Sequence, residues 1–367
     1  MTRPVRILHT ESSMNMGGQE LRVLLEMEQL APLGFESWLA ARRGSAILDE
    51  ARRRGLPALA LPLRNRLDPV SMAALWRLMR RERIDIVNAH GSRDAWNAFL
   101  VARWLGIATV RSRHIANPIR RHFLGQLVYG ALCDRVLTTS ESIRTGLIEA
   151  GIDAAKIVSI PTGIDVAKYA SAQRDGRLRQ ELGIPPDAPL LGMISILRGN
   201  KGPDVFLDAC DRLLDRRKDA WCVLVGDGVM RQQIERQHAA LAHRDRIVIA
   251  GFRRDIPQVL AELDLLVLSA RTPEGVPQTI LQAHAAKVPV VASRVGGVEE
   301  VARDGETAFT VEPGNAEVLL HALCRALDNP ALAREQSERG KRMVEAQYSI
   351  EAMLERMTAL YRSLLRR

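Results

Sequence analysis

Aromatic residues make up only 4% of this 367-residue chain, and they form no cluster beside its basic residues. A single-stranded nucleic-acid binder needs stacking faces next to its cations, so nucleic acid is not expected as a partner. Cysteine is equally sparse. Cys133, Cys210, Cys222 and Cys324 share no CxxC or metal-ligand spacing, which points to reduced thiols and away from a disulfide framework or a zinc site. No run of about 18 uncharged apolar residues occurs, so no membrane-spanning helix is expected. The opening MTRPVRILHTESS enters a short strand-like run and lacks the longer apolar core of a signal peptide, so a cytoplasmic location is expected. The region after the first strand lacks the GxGxxG dinucleotide fingerprint, and no Ser-His-Asp arrangement or metal-ligand set stands out. The nearest carboxylate pair, Glu262 and Asp264, precedes a strand instead of following one.

What is present describes a globular chain. Hydrophobic residues make up 47% and charged residues 26%, and the length suits two domains of ordinary size. The net charge of +9 is unevenly placed. Residues 1–160 hold 23 Lys/Arg against 15 Asp/Glu, whereas residues 161–367 hold 29 against 28. Clusters fall at Arg52-Arg53-Arg54, at Arg80-Arg81 with Arg83, and at Arg120-Arg121. A one-sided field of this kind suits an acidic glycan or a phospholipid surface; the same arginines also make an ordinary solvated face.

Short apolar, β-branched runs alternate with helical patterns from end to end. The first half holds VRILHT, SWLAA, ALALPL, IDIVNAH, ATVRSR, RVLTTS and IVSIPTG; the second holds LLGMISIL, CVLVGDG, IVIAGF, LLVLSA, VPVVAS and AFTVEP. Strands that are apolar nearly throughout fit a parallel sheet covered on both faces. Between them, Leu21/Leu24/Leu25, Leu75/Leu78/Met79 and Phe206/Leu207/Leu213/Leu214 carry helical spacing. The pattern predicts an α/β chain of two Rossmann-like, doubly wound domains. The join is expected near residues 164–188, where a polar stretch runs into Pro185-Pro186. Ligands of such sheets sit at the carboxyl ends of the strands, so two facing domains would hold one in the cleft. The last segment reads as a helix with Met353, Leu354, Met357, Leu360 and Leu364 on one side.

Candidate site residues follow from those strand ends. Gly17-Gly18 precedes the first helix, where backbone N–H groups and the positive dipole end would face a ligand; a glycine pair there also suits a simple tight turn. After LLGMISIL come Arg198 and Lys201, a planar fork and a point charge in a glycine-containing loop, placed either to neutralise a diphosphate or to remain solvated. Gly226-Asp227-Gly228 ends another strand. After LLVLSA, Glu274 sits in a loop, Gly275 permits close backbone approach, Pro277 suits the first helical position, and Gln282 would lie about one turn inside. Among the few histidines, His90 reads as a structural residue. His114, ending VRSRH before a turn at Asn117-Pro118, is a candidate for function.

The combination GGQE, ILRGNKG, VLVGDG, SARTPEGVPQTILQAHAAKVPVVAS and VGGVEEVARDG resembles the retaining GT-B glycosyltransferases of family GT4. The similarity covers nearly the whole chain, and the block from Ser269 to Gly305 is its most specific part. The resemblance implies transfer of a sugar from a nucleotide-diphosphate donor to a hydroxyl acceptor, with retention and without a cofactor or metal. It implies an acceptor-binding domain over 1–167, a nucleotide-sugar domain over 168–345, and a helix over 346–367 crossing back to the first domain. It gives Lys201 and Arg198 to the diphosphate, although many relatives space these cations further apart. It gives Glu274 to the donor-sugar hydroxyls, His114 to the donor sugar, and Gly18 to the diphosphate, with Gly17, Gly226, Gly228, Gly275 and Val276 lining the donor. The second acid of an E-x7-E pair, which holds the ribose in relatives, is here Gln282. The implied acceptor is a glycan or lipid-linked sugar of lipopolysaccharide type, met at the anionic inner face of the cytoplasmic membrane. Two other activities fit the same architecture: a nucleotide-sugar 2-epimerase, and a non-catalytic nucleotide-sugar or nucleic-acid binding module.

Overall fold

All thirteen apolar runs form strands. They are β1 Val5–Glu11, β2 Phe35–Arg42, β3 Ala58–Leu61, β4 Ile86–Ala89, β5 Ala108–Arg113, β6 Arg135–Thr138 and β7 Ile157–Ser159, then β8 Leu190–Ile194, β9 Trp221–Val225, β10 Ile247–Gly251, β11 Leu265–Leu268, β12 Val290–Ser293 and β13 Phe309–Val311. The computed structural model describes residues 3–114 and 123–365, without the side chains of Phe123 and Leu124. Asn117-Pro118 and Arg120-Arg121 therefore lie outside the described residues.

The strands make two parallel sheets, ordered β3-β2-β1-β4-β5-β6-β7 and β10-β9-β8-β11-β12-β13. Every residue of β4, β8, β11 and β12 is buried, which is why these runs are apolar nearly throughout, without alternation. In the second sheet Leu190 and Ile194 pack into one layer, while Leu191 and Met193 pack into the other, as the two-residue period of a strand requires. Each sheet reverses its order once, between β1 and β4 and between β8 and β11. A doubly wound sheet offers a ligand site at that reversal, outside the carboxyl ends of the strands.

The contacts divide the chain into Met1–Thr162 with Met353–Arg367, and Gly163–Ala352. The divisions fall some residues away from the expected 167/168 and 345/346. The reason is local at Gly163: a Cβ there would lie 2.6 Å from the Ser349 carbonyl oxygen, and Ile164 bridges Ser349 in parallel register. The polar join segment is thereby part of the second unit, where Ile164, Leu178 and Ile184 enter the core.

Within the first unit, the C-terminal helix Ile350–Leu364 buries Met353, Leu354, Met357, Leu360 and Leu364, and also Tyr361, whose hydroxyl accepts from Asn88 Nδ2 at 2.9 Å. The first helix, Gly18–Leu30, differs from its expected stripe. Leu21 is exposed and Leu25 half-buried, while Arg22, Val23, Leu24, Glu26, Met27 and Leu30 face inward. Arg22 Nε donates to Glu26 Oε1 at 2.7 Å, and its Nη1 donates to the Ile160 carbonyl at 2.7 Å and Thr162 Oγ1 at 3.2 Å. The charged pair thus clips the helix to the end of β7, with Met357 of the C-terminal helix against the guanidinium.

Candidate functional site

In the second unit, the loops after β8 and β11 leave adjacent strands at the reversal, with Leu265 and Leu266 in register with Leu191 and Gly192. They bring Lys201 and Glu274 together at 2.5 Å between Nζ and Oε2. The loops are tied to each other by the backbone. Ser269 Oγ donates to the Gly202 carbonyl at 2.8 Å, and Arg271 N donates to the Asn200 carbonyl at 2.8 Å. Gly202 adopts a left-handed φ of 66°, and a Cβ would fall 2.1 Å from the Ser269 carbonyl oxygen, so only glycine permits this approach. A third loop backs the pair: Gly297 N donates to the Glu274 carbonyl at 2.8 Å, and Glu274 bridges Gly296.

The electrostatics of this pair are unusual for a loop. The Lys201 side chain is 26% exposed and that of Glu274 only 9%. Glu274 Oε1 is buried and has no partner among the described residues, leaving an acceptor free beside an ammonium that still has protons to donate. Arg198 is three residues from Lys201 but is not drawn into the pair. It is exposed, caps the short turn Gly199–Lys201, and its guanidinium has no partner among the described residues.

Gly226 and Gly228 prove to have a packing role. A Cβ at Gly226 (φ 137°) would lie 1.8 Å from the Ser195 carbonyl oxygen, and one at Gly228 would lie 2.6 Å from that of Leu197. The turn therefore lies directly against the Arg198 loop, with Leu197 N donating to the Asp227 carbonyl at 2.9 Å. Val276 is half-buried and packs onto the core. Gly275 lies against Gly297, whose Cβ would meet the Gly275 carbonyl carbon at 2.7 Å. Pro277 is the cap residue and not the first helical one; the helix is Gln278–Ala285, and a missing N–H is harmless at either position. Gln282 is half-buried and lies beside Tyr169, whose phenol is pushed up by burial. Glu262 and Asp264 are bound by arginines: Arg179 at 2.9 Å from Glu262, and Arg174 at 2.7 Å from Asp264.

In the first unit, Gly17 caps the helix Gly18–Leu30, and its N–H donates to Glu20 Oε2 at 2.8 Å. Gly18 is different. A Cβ there would meet nothing within 4 Å among the described residues, so no described neighbour requires the glycine. Glu11, at the end of β1, has its carboxyl pushed up to about 8 by burial and by neighbouring Asp94. His114 follows β5 and is joined to His90, which is joined in turn to His9, each contact 3.1 Å between ring nitrogens. Burial lowers all three rings, His9 to about 3. Sequence reasoning missed His9 and Tyr169, because their partners are distant in the chain. For His9 and His90, position near the carboxyl end of β1 and directly after β4 was the available signal.

Comparison with known proteins agrees with this architecture. The sequence matches the family model for glycosyl transferases group 1 over residues 175–343 and that for Glycosyltransferase Family 4 over residues 16–168. It is 26% identical over 346 residues, 89% of each chain, to the UDP-Gal:alpha-D-GlcNAc-diphosphoundecaprenol alpha-1,3-galactosyltransferase of Escherichia coli. Among solved structures, a glycosyltransferase from Rickettsia africae superposes with a TM-score of 0.90 at 22% identity, covering 99% of each chain. Anabaena Alr3699/HepE in complex with UDP superposes with a TM-score of 0.88 at 20% identity, covering 98% of this chain and all of that one. With both sheets matched by family models and the whole fold shared, the chain belongs to the family 4 glycosyltransferases and is a glycosyltransferase of the GT-B fold.

Proposed function

We propose that the enzyme moves a sugar from a nucleotide-diphosphate donor to a hydroxyl of a glycan or lipid-linked acceptor, with retention, in cell-surface polysaccharide or lipopolysaccharide assembly. The observation that carries this reading is the Lys201–Glu274 pair at the reversal of the second sheet. Glycosyl transfer breaks the bond between C1 and the β-phosphate oxygen through a transition state with positive charge at the sugar and negative charge on the departing diphosphate. Lys201 supplies fixed positive charge to the diphosphate, and Arg198 has the freedom to join it. Glu274, held by Lys201, offers its free Oε1 to the sugar's hydroxyls. The acceptor oxygen bonds C1 on the face the diphosphate leaves, and its proton passes to a diphosphate oxygen, so the step balances without a separate protein base. Gln282 and Tyr169 present neutral groups for the ribose, and no protein-bound metal has a role in this scheme. On the first unit, Gly18 and His114 are offered to a substrate oxygen. The E. coli relative's name carries a UDP-galactose donor and a diphosphoundecaprenol acceptor, and the Anabaena neighbour holds UDP; both support the reading.

The acceptor is proposed to be met at an anionic membrane surface on the cytoplasmic side. No helix among the described residues is long and apolar enough to cross a membrane. The first unit, however, exposes Trp104 at 74%, stacked at 6.0 Å on Trp76, with the Arg80 guanidinium 4.9 Å from the Trp76 ring. Tryptophan beside arginine suits a headgroup interface. Equal binding to neutral and anionic vesicles at low salt would remove this part of the proposal. For the reaction, a panel of nucleotide sugars is incubated with and without acceptor extract, and released nucleoside diphosphate is measured. Acceptor-dependent release is expected; conversion of the donor to an isomer without acceptor would overturn transfer in favour of epimerisation.

A further inference from the structure

His9 lies in β1, two residues before its carboxyl end, and His90 and His114 directly follow β4 and β5; the three strands are neighbours in the first sheet and span its reversal. Their rings form one line. His9 Nδ1 is 3.1 Å from His90 Nε2, and His90 Nδ1 is 3.1 Å from His114 Nε2. The first two rings are nearly coplanar, with an interplanar angle of 18°. His9 and His90 are buried, and His9 Nε2 has no partner among the described residues. At the other end, His114 is only partly buried, and its Nδ1 has no partner among the described residues.

Burial keeps the line neutral. It disfavours a positive charge on His90 and His114, and the charges of Arg111 and Arg22 act in the same direction. A neutral imidazole carries one N–H and one lone pair. Because both nitrogens of His90 are engaged, it donates on one side and accepts on the other. Only two proton arrangements satisfy both contacts. In one, His9 carries its proton on the buried, partnerless Nε2, and His114 presents a bare lone pair at Nδ1. In the other, His9 donates through Nδ1 to His90, His90 donates through Nδ1 to His114, and His114 must carry its own proton on Nδ1. The first leaves an orphaned buried N–H, which native proteins avoid more strictly than an under-used acceptor.

We infer that His9 and His90 are positioning residues that hold His114 in the Nδ1-protonated tautomer, so that this edge of the first sheet presents a neutral N–H donor to a substrate oxygen. The functional half of this statement rests on the reading of His114 as a substrate contact. The structural half does not. His114 is then a hydrogen-bond donor, suited to a sugar hydroxyl or a phosphate oxygen, and not the base that deprotonates the acceptor.

The test is two-bond 1H–15N NMR on protein labelled with 15N-histidine, with the His114 signals assigned by their loss in His114→Gln. The expected spectrum shows a protonated Nδ1 and a bare Nε2 on His114, unchanged from pH 8 to pH 5.5. A protonated Nε2, or titration of His114 near the ordinary value of 6.5, would overturn the inference. In His90→Phe the His114 ring is expected to titrate and to lose its single tautomer. His9→Phe, a change at the far end of the line, is expected to lower kcat/KM about fivefold to tenfold, the loss of one well-placed hydrogen bond. If His114→Gln keeps full activity while the wild-type tautomer is as stated, the substrate-contact reading falls and the positioning of the ring stands.

Discussion

Removing Lys201 should do more than remove a cation. In Lys201→Met the Glu274 carboxylate, 9% exposed and with Oε1 already unpartnered, loses its ion-pair partner at 2.5 Å. Breaking a fully buried pair from one side costs about 3–5 kcal/mol. With the lysine a quarter exposed, about 2–3 kcal/mol is the better figure. For a unit of this size that corresponds to a fall of roughly 4–12 °C in its melting transition. Calorimetry is the assay, because two units need not melt together. Lys201→Met/Glu274→Gln removes the stranded charge and should recover at least half of the loss, giving a coupling energy of about 1–2 kcal/mol. Transfer activity should be lost in both variants. A single variant that melts like the wild type would refute the reasoning, since Glu274 would then not depend on its partner. The double variant is therefore the better probe of function, because its loss of activity is not explained by loss of fold.

Other consequences follow from buried charge. Burial pushes the Glu26 carboxyl up more than Arg22 pulls it down, so Arg22→Met should destabilise by about 3–5 kcal/mol while Arg22→Met/Glu26→Leu comes close to wild type in urea unfolding. Glu11, raised to about 8 from 4.5, contributes stability that is fully present below about 4.5 and lost as pH rises through 8; Glu11→Gln should leave the melting temperature unchanged at pH 4.5 and raise it at pH 9, and an equal shift at both would contradict this. The His9 ring, lowered to about 3 from 6.5, has the opposite sign: its contribution is present above about 6.5 and lost as pH falls toward 3, so His9→Phe should reduce the acid lability of the first unit between pH 6.5 and 5. Gln282→Glu should leave nucleotide binding unchanged or tighten it by up to about tenfold in calorimetric titration, by adding a charge-assisted bond; a loss beyond tenfold would show that the amide beside Tyr169 is itself required.

The sheets were legible because burial on both faces writes itself into sequence as unbroken apolar runs, as in LLVLSA and VPVVAS. The C-terminal helix was legible because all five residues of its stripe are apolar and buried. Periodicity failed at the first helix for the converse reason. It assigns charged positions to solvent, whereas Arg22 and Glu26 neutralise each other inside. At the site, Lys201 and Glu274 were readable as strand-end residues, but their contact was not, since 73 residues separate them and only the β8–β11 adjacency joins them. The glycines divided in a way that sequence could not foresee: Gly226 and Gly228 accommodate neighbouring backbone, while Gly18 stands against open space. His90 read as a satisfied structural residue, and both its nitrogens are indeed bonded, but to two other histidines 81 and 24 residues away. Strand order, not local pattern, creates that line.

The most direct test of glycosyl transfer at the Lys201–Glu274 pair is the initial rate of acceptor-dependent nucleoside diphosphate release, with the product's anomeric configuration read by NMR. It is measured for the wild type and for the folded Lys201→Met/Glu274→Gln variant. The account predicts a retained configuration in the wild type and a rate at least about 100-fold lower in the variant, the scale set by losing fixed charge at a departing anion. Transfer by the variant at the wild-type rate, or an inverted product, would contradict it.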